Sequence, residues 1–160
     1  GVCCRGVFKH KRLTFAHSNP DIEIREFTMR KKIIHFLVLF AAGGLGYVLL
    51  ELLYRKKSHV SMFIDGGICL YFIDLLCNRA RISRKLSIFI RGLISSALIT
   101  CVELVTGLIV NKRLKLKVWD YSRLPLNLYG QVCAGYSLLW FLLSIPVIAV
   151  CKMVSKKLLL

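Results

Sequence analysis

Four long apolar segments alternate with short segments rich in Lys and Arg along this 160-residue chain. They lie at about residues 33–54, 60–77, 86–110 and 128–151. At a rise of about 1.5 Å per residue, helices of this length cross a hydrocarbon core of about 30 Å. The pattern predicts an all-α polytopic membrane protein, with about four transmembrane helices packed as a small bundle within residues 33–151.

The second segment, residues 60–77, has two interpretations. It is short for a span and contains Asp65-Gly66-Gly67 and Asp74, which weaken an apolar helix. We favour a span, and a re-entrant hairpin is the alternative. In the first segment, His35 lies near the basic end and is expected at the membrane interface.

The segments that flank the spans predict the orientation of the chain. Residues 1–32 are basic and predicted to be disordered, with a frayed helix as the alternative for residues 1–28, and residues 152–160 form a basic tail. These two segments and residues 78–85 lie on one side and hold fifteen Lys and Arg, against eight on the other. Without residues 1–28 the counts are ten and eight, which give the same orientation. Because Lys and Arg are retained inside the cell, both termini are predicted to be cytoplasmic.

The composition agrees with a membrane protein. The chain is 56% hydrophobic, whereas soluble domains contain about 45–50% apolar residues. The formal charge of +16 comes from residues between apolar segments rather than from one soluble basic face. The charge therefore indicates topology and contact with anionic lipid, and not nucleic-acid binding.

A stripe of small and polar residues follows one face of the third segment. Their spacings of 4, 4, 3, 4 and 4 place them on one side of a helix. The stripe consists of Gly92, Ser96, Thr100, Glu103, Gly107 and Asn111. Because a lipid-facing surface should be apolar, the stripe is predicted to face other helices or a water-filled crevice.

Two carboxylates at membrane depth, Glu51 and Glu103, are the first candidate site residues. An ionised carboxylate there costs about 2.5–3.5 kcal/mol, so it is retained for a proton or ion path, a ligand or a structural pair. The structural alternative is that each carboxylate pairs with Arg55, with Arg91 or with a donor at a helix end, or is protonated. Thr100, Asn111 and Gln131 complete the candidate polar pathway, and Gln131 is expected to face Glu103 and to form an interhelical hydrogen bond.

The linker before the last segment carries the second candidate site. Trp119-Asp120-Tyr121-Ser122, Pro125 and Asn127 form either a binding loop at the outer mouth or a structural turn. We favour the turn, in which Asp120 accepts backbone N–H groups, Pro125 stiffens the chain and Asn127 caps the last helix. Trp119 and Tyr121 are expected in the outer aromatic belt.

His59 lies between the first two spans and close in sequence to Asp65. This arrangement suggests a proton or metal site at the outer surface, but a single interfacial His more often has no special role. The chain contains no P-loop motif, no HExxH, no CxxC and no Ser/His/Asp pattern. We therefore predict no catalytic residue, no bound metal, no cofactor and no enzymatic activity.

The residues resemble a known family. The most specific run is Trp119-Asp120-Tyr121-Ser122, followed by Pro125, Asn127 and Gly130-Gln131. It is accompanied by Glu51-Leu52-Leu53-Tyr54-Arg55, Ser58-His59 and Thr106-Gly107. Across residues 30–150 the chain is similar to the bacterial putative type IV ABC-transporter permease family.

The resemblance implies a multi-pass protein of the bacterial plasma (inner) membrane that acts as a transporter permease subunit. Four spans with one polar stripe form little of a pathway, so a homo-oligomer or a partner membrane subunit is expected, with a separate ATPase. The alternative is a non-transporting membrane scaffold or regulatory protein, in which the same polar residues serve helix packing.

Overall fold

The computed structural model describes residues 20–80 and 85–159. The elements in chain order are α1 (Pro20–Arg55), α2 (Val60–Ile73), α3 (Ile88–Gly107), β1 (Asn127–Leu128), β2 (Val132–Cys133) and α4 (Ala134–Leu159). Two helices end in π-helical turns: α2 continues over Asp74–Arg79, and α3 continues over Leu108–Arg113.

Four helices within the described ranges are long and apolar enough to cross a membrane, which confirms the predicted fold class. In the most apolar part of each helix, between 17% and 44% of the residues are buried. A soluble protein would hide most of that apolar surface, whereas lipid solvates it directly. The outer faces of the bundle are therefore lipid-facing surfaces.

The helix boundaries differ from the predicted spans at both ends of the chain. The first helix begins at Pro20, so residues 20–32 are helical rather than disordered. Proline is tolerated in the first turn of a helix, because the backbone N–H groups of that turn have no acceptor within the helix. The remainder of the predicted disordered segment, residues 1–19, lies outside the described residues.

The last helix begins at Ala134 rather than at Leu128, and it continues through the predicted tail to Leu159. Residues 127–133 instead form an antiparallel β-hairpin, in which Asn127 pairs with Cys133 and Leu128 with Val132. The second segment is one continuous helical stretch from Val60 to Arg79, so the re-entrant hairpin is not adopted.

The first two helices pack at backbone contact distance through glycines. A Cβ built at Gly43 would lie 2.6 Å from the Cβ of Leu70 and still closer to the carbonyl oxygen of Gly66. A Cβ built at Gly66 would lie 2.6 Å from the Cβ of Tyr47. Gly46, by contrast, has open space around it, so it is not part of the contact. Gly44 and Gly67 make similarly close contacts, with Phe63 and Phe40, so four glycines bring α1 and α2 together.

The other strong contact lies between α3 and α4, and the two pairs of helices meet around a small apolar core. Its buried members are Cys69, Ile73, Cys77, Ile99 and Ile148. The two thiols pack here as small apolar groups. This core holds α3 in an orientation in which its polar face points toward the neighbouring helices.

Candidate functional site

The polar stripe of α3 forms the contact surface with α4 and the hairpin. Ser96 donates its hydroxyl to the carbonyl oxygen of Ser137 at 2.6 Å, and the hydroxyl of Thr100 lies 3.0 Å from that of Ser137. A Cβ built at Gly92 would lie 3.0 Å from the ring of Phe141. We call this contact surface, from Gly92 to Asn111, the polar seam. As its spacing predicts, the seam faces other elements of the bundle and not lipid.

Glu103 lies in the middle of the polar seam and joins three helices. The Tyr47 hydroxyl of α1 donates to Oε1 at 2.6 Å, and the Trp140 indole N–H of α4 donates to Oε2 at 2.8 Å. Glu103 is 3% exposed, and no Lys, Arg or His of the described residues forms an ion pair with it. Both carboxylate oxygens are thus held by neutral donors, and none of the cationic partners considered from the sequence is used.

A third buried carboxylate, Asp65, lies on α2 and approaches the seam one turn beyond Glu103. The Thr106 hydroxyl donates to Asp65 Oδ1 at 2.8 Å. Asp65 is 3% exposed, and its Oδ2 has no hydrogen-bond partner among the described residues. Glu103 and the partner of Asp65, Thr106, are therefore three residues apart on α3.

Glu51, in contrast, has a cationic partner. Arg55 contacts it at 2.8 Å, and the Ser58 hydroxyl donates to its other oxygen at 2.7 Å. The Arg55 guanidinium also donates to the carbonyl oxygen of Val118 at 2.5 Å. This ion pair ties the end of α1 to the linker, which is the structural role considered from the sequence.

Gln131 closes the end of the polar seam. Its Oε1 accepts from the Asn111 amide at 2.8 Å, and a Cβ built at Gly107 would lie 2.6 Å from the same oxygen. Asn111 in turn accepts from the backbone N–H of Val118 at 2.7 Å. Gln131 is therefore buried and bonded across the bundle, but its partner is Asn111 rather than Glu103.

Trp119 lies inside the protein and not in an aromatic belt. It is 6% exposed, and its indole N–H donates to the carbonyl oxygen of Gln131 at 2.9 Å. The expected position of Trp119 in the outer aromatic belt was wrong. Its indole N–H has a hydrogen-bond acceptor inside the protein and does not need the lipid headgroups. Tyr121 stacks on Tyr136 of α4 with ring centroids 4.6 Å apart, and burial raises the pKa of its hydroxyl.

The rest of the linker forms turns. Asp120 accepts from the backbone N–H and the hydroxyl of Ser122, and these bonds lower the pKa of its carboxyl. Asn127 donates to the carbonyl oxygen of Leu124 at 2.7 Å and accepts from the N–H of Gly130 at 3.1 Å. Asn127 therefore closes the hairpin. It does not cap α4, so the capping role suggested from the sequence is wrong.

Two further predicted loop residues lie at the surface. His59 precedes α2 as its N-cap, and its ring accepts from the N–H of Ser61 at 3.2 Å. Within residues 20–80 and 85–159, no group of three His, Cys, Asp or Glu side chains is arranged to hold a metal ion. Pro125 lines a shallow depression of about 360 Å³ together with Tyr54 and Tyr136.

A cluster that the sequence did not single out lies at the opposite end of the bundle. His35 is 0% exposed, with its Nε2 2.8 Å from the Ser155 hydroxyl and 3.3 Å from Asp74 Oδ2. The interfacial position expected for His35 was therefore wrong. Both partners lie on the same ring nitrogen, whereas a catalytic triad places its Asp on Nδ1 and its Ser on Nε2. The cluster is thus not a hydrolytic triad.

An apolar cavity of about 450 Å³ lies between α1, α2 and α4. Gly43, Gly46, Leu70 and Val147 contribute to its wall. Tyr47 and Trp140, the two donors to Glu103, also line it, with ring centroids 5.4 Å apart. The Glu103 site therefore lies directly behind the wall of this cavity.

Comparison with known proteins gives one family. No curated protein sequence and no solved structure matches the chain. The family model described as putative ABC-transporter type IV matches residues 34–160, which include all four spans and the Trp119–Gln131 linker. Because the match covers most of the chain, this protein belongs to the putative type IV ABC-transporter family.

Proposed function

We propose that the chain is the permease subunit of an ABC-type transporter in a bacterial plasma membrane, with both termini cytoplasmic. The family match and the four spans support this proposal. The sequence has no P-loop, so a separate ATPase supplies ATP hydrolysis. One bundle of four helices leaves little room for a pathway, so the working unit contains a second copy or a partner membrane subunit.

The observation that carries the proposal is the way Glu103 is held. Glu51, which ties α1 to the linker, has a cation beside it, Arg55. Glu103 has instead two neutral donors from two other helices. Ionisable groups inside a membrane mark transport pathways more often than other sites. Glu103 is therefore the proposed centre of the pathway, with Thr100, Asn111 and Gln131 along the seam.

In this proposal the structure is a closed state. The seam is sealed by hydrogen bonds between α3 and α4, and Gln131 blocks its end against Gly107. Opening a route requires α4 to separate from α3, which exposes Glu103 and the hydroxyl groups of the seam. Hydrogen bonds in membrane proteins average about 0.6 kcal/mol each, so a few of them form a seam that can open.

The alternative function, a non-transporting scaffold or regulator, is favoured by one specific observation. Ser96, Thr100, Glu103 and Asn111 each bond to another part of the same chain. In that case the polar seam only holds the bundle together. If the seam is a transport pathway, a substitution in it can abolish activity while the protein remains folded. If the seam only holds the bundle together, activity is lost only together with folding.

Glu103→Gln separates the two functions. The amide keeps the size of the side chain and accepts from Trp140, and Tyr47 is able to reverse its role and accept from the amide. The expected cost in stability is about 1 kcal/mol, so the membrane level should stay near that of the wild type. Growth or transport complementation in a deletion strain should nevertheless fall at least about tenfold, if one charge contributes about 1.4 kcal/mol to the transport step.

Glu26→Gln is the matched control, because it makes the same chemical change at an exposed position of α1. It should complement fully. A Glu103→Gln variant with normal membrane level and full complementation would remove the pathway role and leave the scaffold.

A further inference from the structure

The cluster of His35, Asp74 and Ser155 brings together α1, the π-helical turn after α2, and α4. His35 and Asp74 are both 0% exposed. Asp74 Oδ1 accepts from the Ser155 hydroxyl at 2.7 Å and from the Asn78 amide at 3.1 Å. Asn78 also donates to the carbonyl oxygen of Ile148 at 3.2 Å. The cluster is therefore a group of buried polar side chains that are hydrogen-bonded to one another inside an apolar bundle.

The hydrogen bonds assign the proton positions. The Ser155 hydroxyl has one hydrogen, and it is used in the bond to Asp74. The 2.8 Å contact between Ser155 Oγ and His35 Nε2 therefore has Nε2–H as its donor. The same N–H lies 3.3 Å from Asp74 Oδ2. In its neutral form, His35 is therefore the tautomer with hydrogen on Nε2 and a lone pair on Nδ1.

Three atoms of the cluster are buried without a hydrogen-bond partner among the described residues: His35 Nδ1, Asp74 Oδ2 and Asn78 Oδ1. Of these, His35 Nδ1 is the imidazole nitrogen that carries no hydrogen in the neutral tautomer. Metal-binding and catalytic histidines normally have the second nitrogen fixed by a donor or an acceptor. From this arrangement we propose that the cluster is a proton-binding site, and that Nδ1 of His35 is the atom that takes the proton.

The charge balance of the pair supports this assignment. With neutral His35, the His35–Asp74 pair has a charge of −1 inside the bundle. A proton on Nδ1 converts it into an ion pair with no net charge, and no existing hydrogen bond has to break. The acceptor is an imidazole nitrogen, and imidazole is the side chain whose ordinary pKa, about 6.5, lies nearest to cellular pH.

The surrounding charges set limits on proton binding. Arg79 lies on the same π-helical turn as Asp74. Arg91 of α3 accepts a weak hydrogen bond from the Cys77 thiol through its carbonyl oxygen at 3.6 Å. Lys31 and Lys32 lie one turn before His35 on α1. Among the described residues, Asp74 is the carboxylate that forms an ion pair with His35.

On α4, the buried neighbour of the cluster is neutral, and the nearby lysines are exposed. Cys151 of α4 is 0% exposed and directs its thiol toward the carbonyl oxygen of Leu70 at 4.0 Å. Lys152 and Lys156 flank Ser155 in sequence and are exposed. Because the charge changes where three helices touch, proton binding couples pH to the packing of α1, α2 and α4. This inference does not depend on the proposed transport function.

The test is NMR of the whole chain in lipid nanodiscs, with the imidazole nitrogens of His labelled with ¹⁵N. At about pH 8, His35 should have hydrogen on Nε2 alone, and on lowering the pH to about 4.5 a second hydrogen should appear on Nδ1. The His35 signal is assigned by its loss in His35→Gln. If that variant does not fold, the triple variant H10Q/H17Q/H59Q leaves His35 as the one histidine.

The His59 signal serves as a spectral reference, because His59 is exposed at the other end of α2. Hydrogen on Nδ1 alone at about pH 8 would overturn the assignment of the tautomer. A His35 signal that stays constant down to about pH 4.5 would overturn the proton site.

Discussion

Replacing Gly43 by Ala should prevent close packing of α1 and α2 and destabilise the bundle by about 1–3 kcal/mol or more. The new methyl group would lie 2.6 Å from the Cβ of Leu70 and closer still to the backbone of Gly66. Neither neighbour is the end of a flexible side chain, so the helices themselves must separate. Gly66→Ala should have a similar effect, because its methyl group meets Tyr47 and the backbone of Gly43.

Gly46→Ala is the matched control for both variants. It makes the same substitution one turn away on the same helix, at a position with nothing within 4 Å of the new methyl group. Replacing Gly in a helix by Ala adds about 0.5–1 kcal/mol of stability, so this variant should be equal to or more stable than the wild type. Thermal unfolding in detergent micelles measures all three variants. Equal stability of Gly43→Ala and Gly46→Ala would contradict the glycine contact.

The second large effect concerns the donors to Glu103. The double variant Tyr47→Phe/Trp140→Phe should lose about 3 kcal/mol or more, because it leaves a buried carboxylate without hydrogen bonds. Each donor removed alone should cost less, since the carboxylate then keeps one bond. The loss in the double variant should therefore exceed the sum of the two single losses.

Adding Glu103→Leu to the double variant should restore much of the lost stability. With the carboxylate gone, no buried group of this site lacks a partner, and an apolar side chain suits the three apolar neighbours. Unfolding by titration with sodium dodecyl sulfate in mixed micelles measures the four variants on one scale. If the triple variant is no more stable than the double variant, the carboxylate is not the source of the loss.

The stripe on α3 could be predicted because its physical cause is local to one helix. Polar and small residues at spacings of three and four must share a face, and lipid excludes that face from the outside of the bundle. Glu103 and Asn111 were therefore placed correctly against other elements. Their partners, Tyr47 and Gln131, depend on how distant helices pack, and the periodicity of α3 contains no information about them.

The ends of the helices were less predictable, because hydropathy does not record where a helix begins. Leu128-Tyr129-Gly130-Gln131-Val132 reads as the start of an apolar span, yet Tyr129 and Gly130 adopt positive φ values of 53° and 71°. Such backbone angles suit Gly and occur in turns, and Asn127 and Gly130 were the signal for a hairpin. At the other end, residues 20–32 are polar, so the hydropathy pattern could not show that α1 extends through them.

His35 and Trp119 illustrate a different difficulty. A single His or Trp near the end of an apolar segment fits the membrane interface, and in most proteins that interpretation needs no partner. Here each side chain is buried because one specific acceptor lies opposite it: Asp74 for His35, and the backbone of Gln131 for Trp119. Asp74 within an apolar segment was the available sign that a buried partner had to exist.

The composition of the complex formed by this chain tests the central claim, a permease subunit that works with a separate ATPase, most directly. The tagged chain is cross-linked in its native membrane, purified in mild detergent, and analysed by mass spectrometry and ATP hydrolysis. The account predicts a second subunit with a P-loop, in fixed stoichiometry, and hydrolysis that is lost when the P-loop Lys of that subunit is replaced. A chain recovered alone, or with copies of itself and no ATP-hydrolysing subunit, would contradict the permease role.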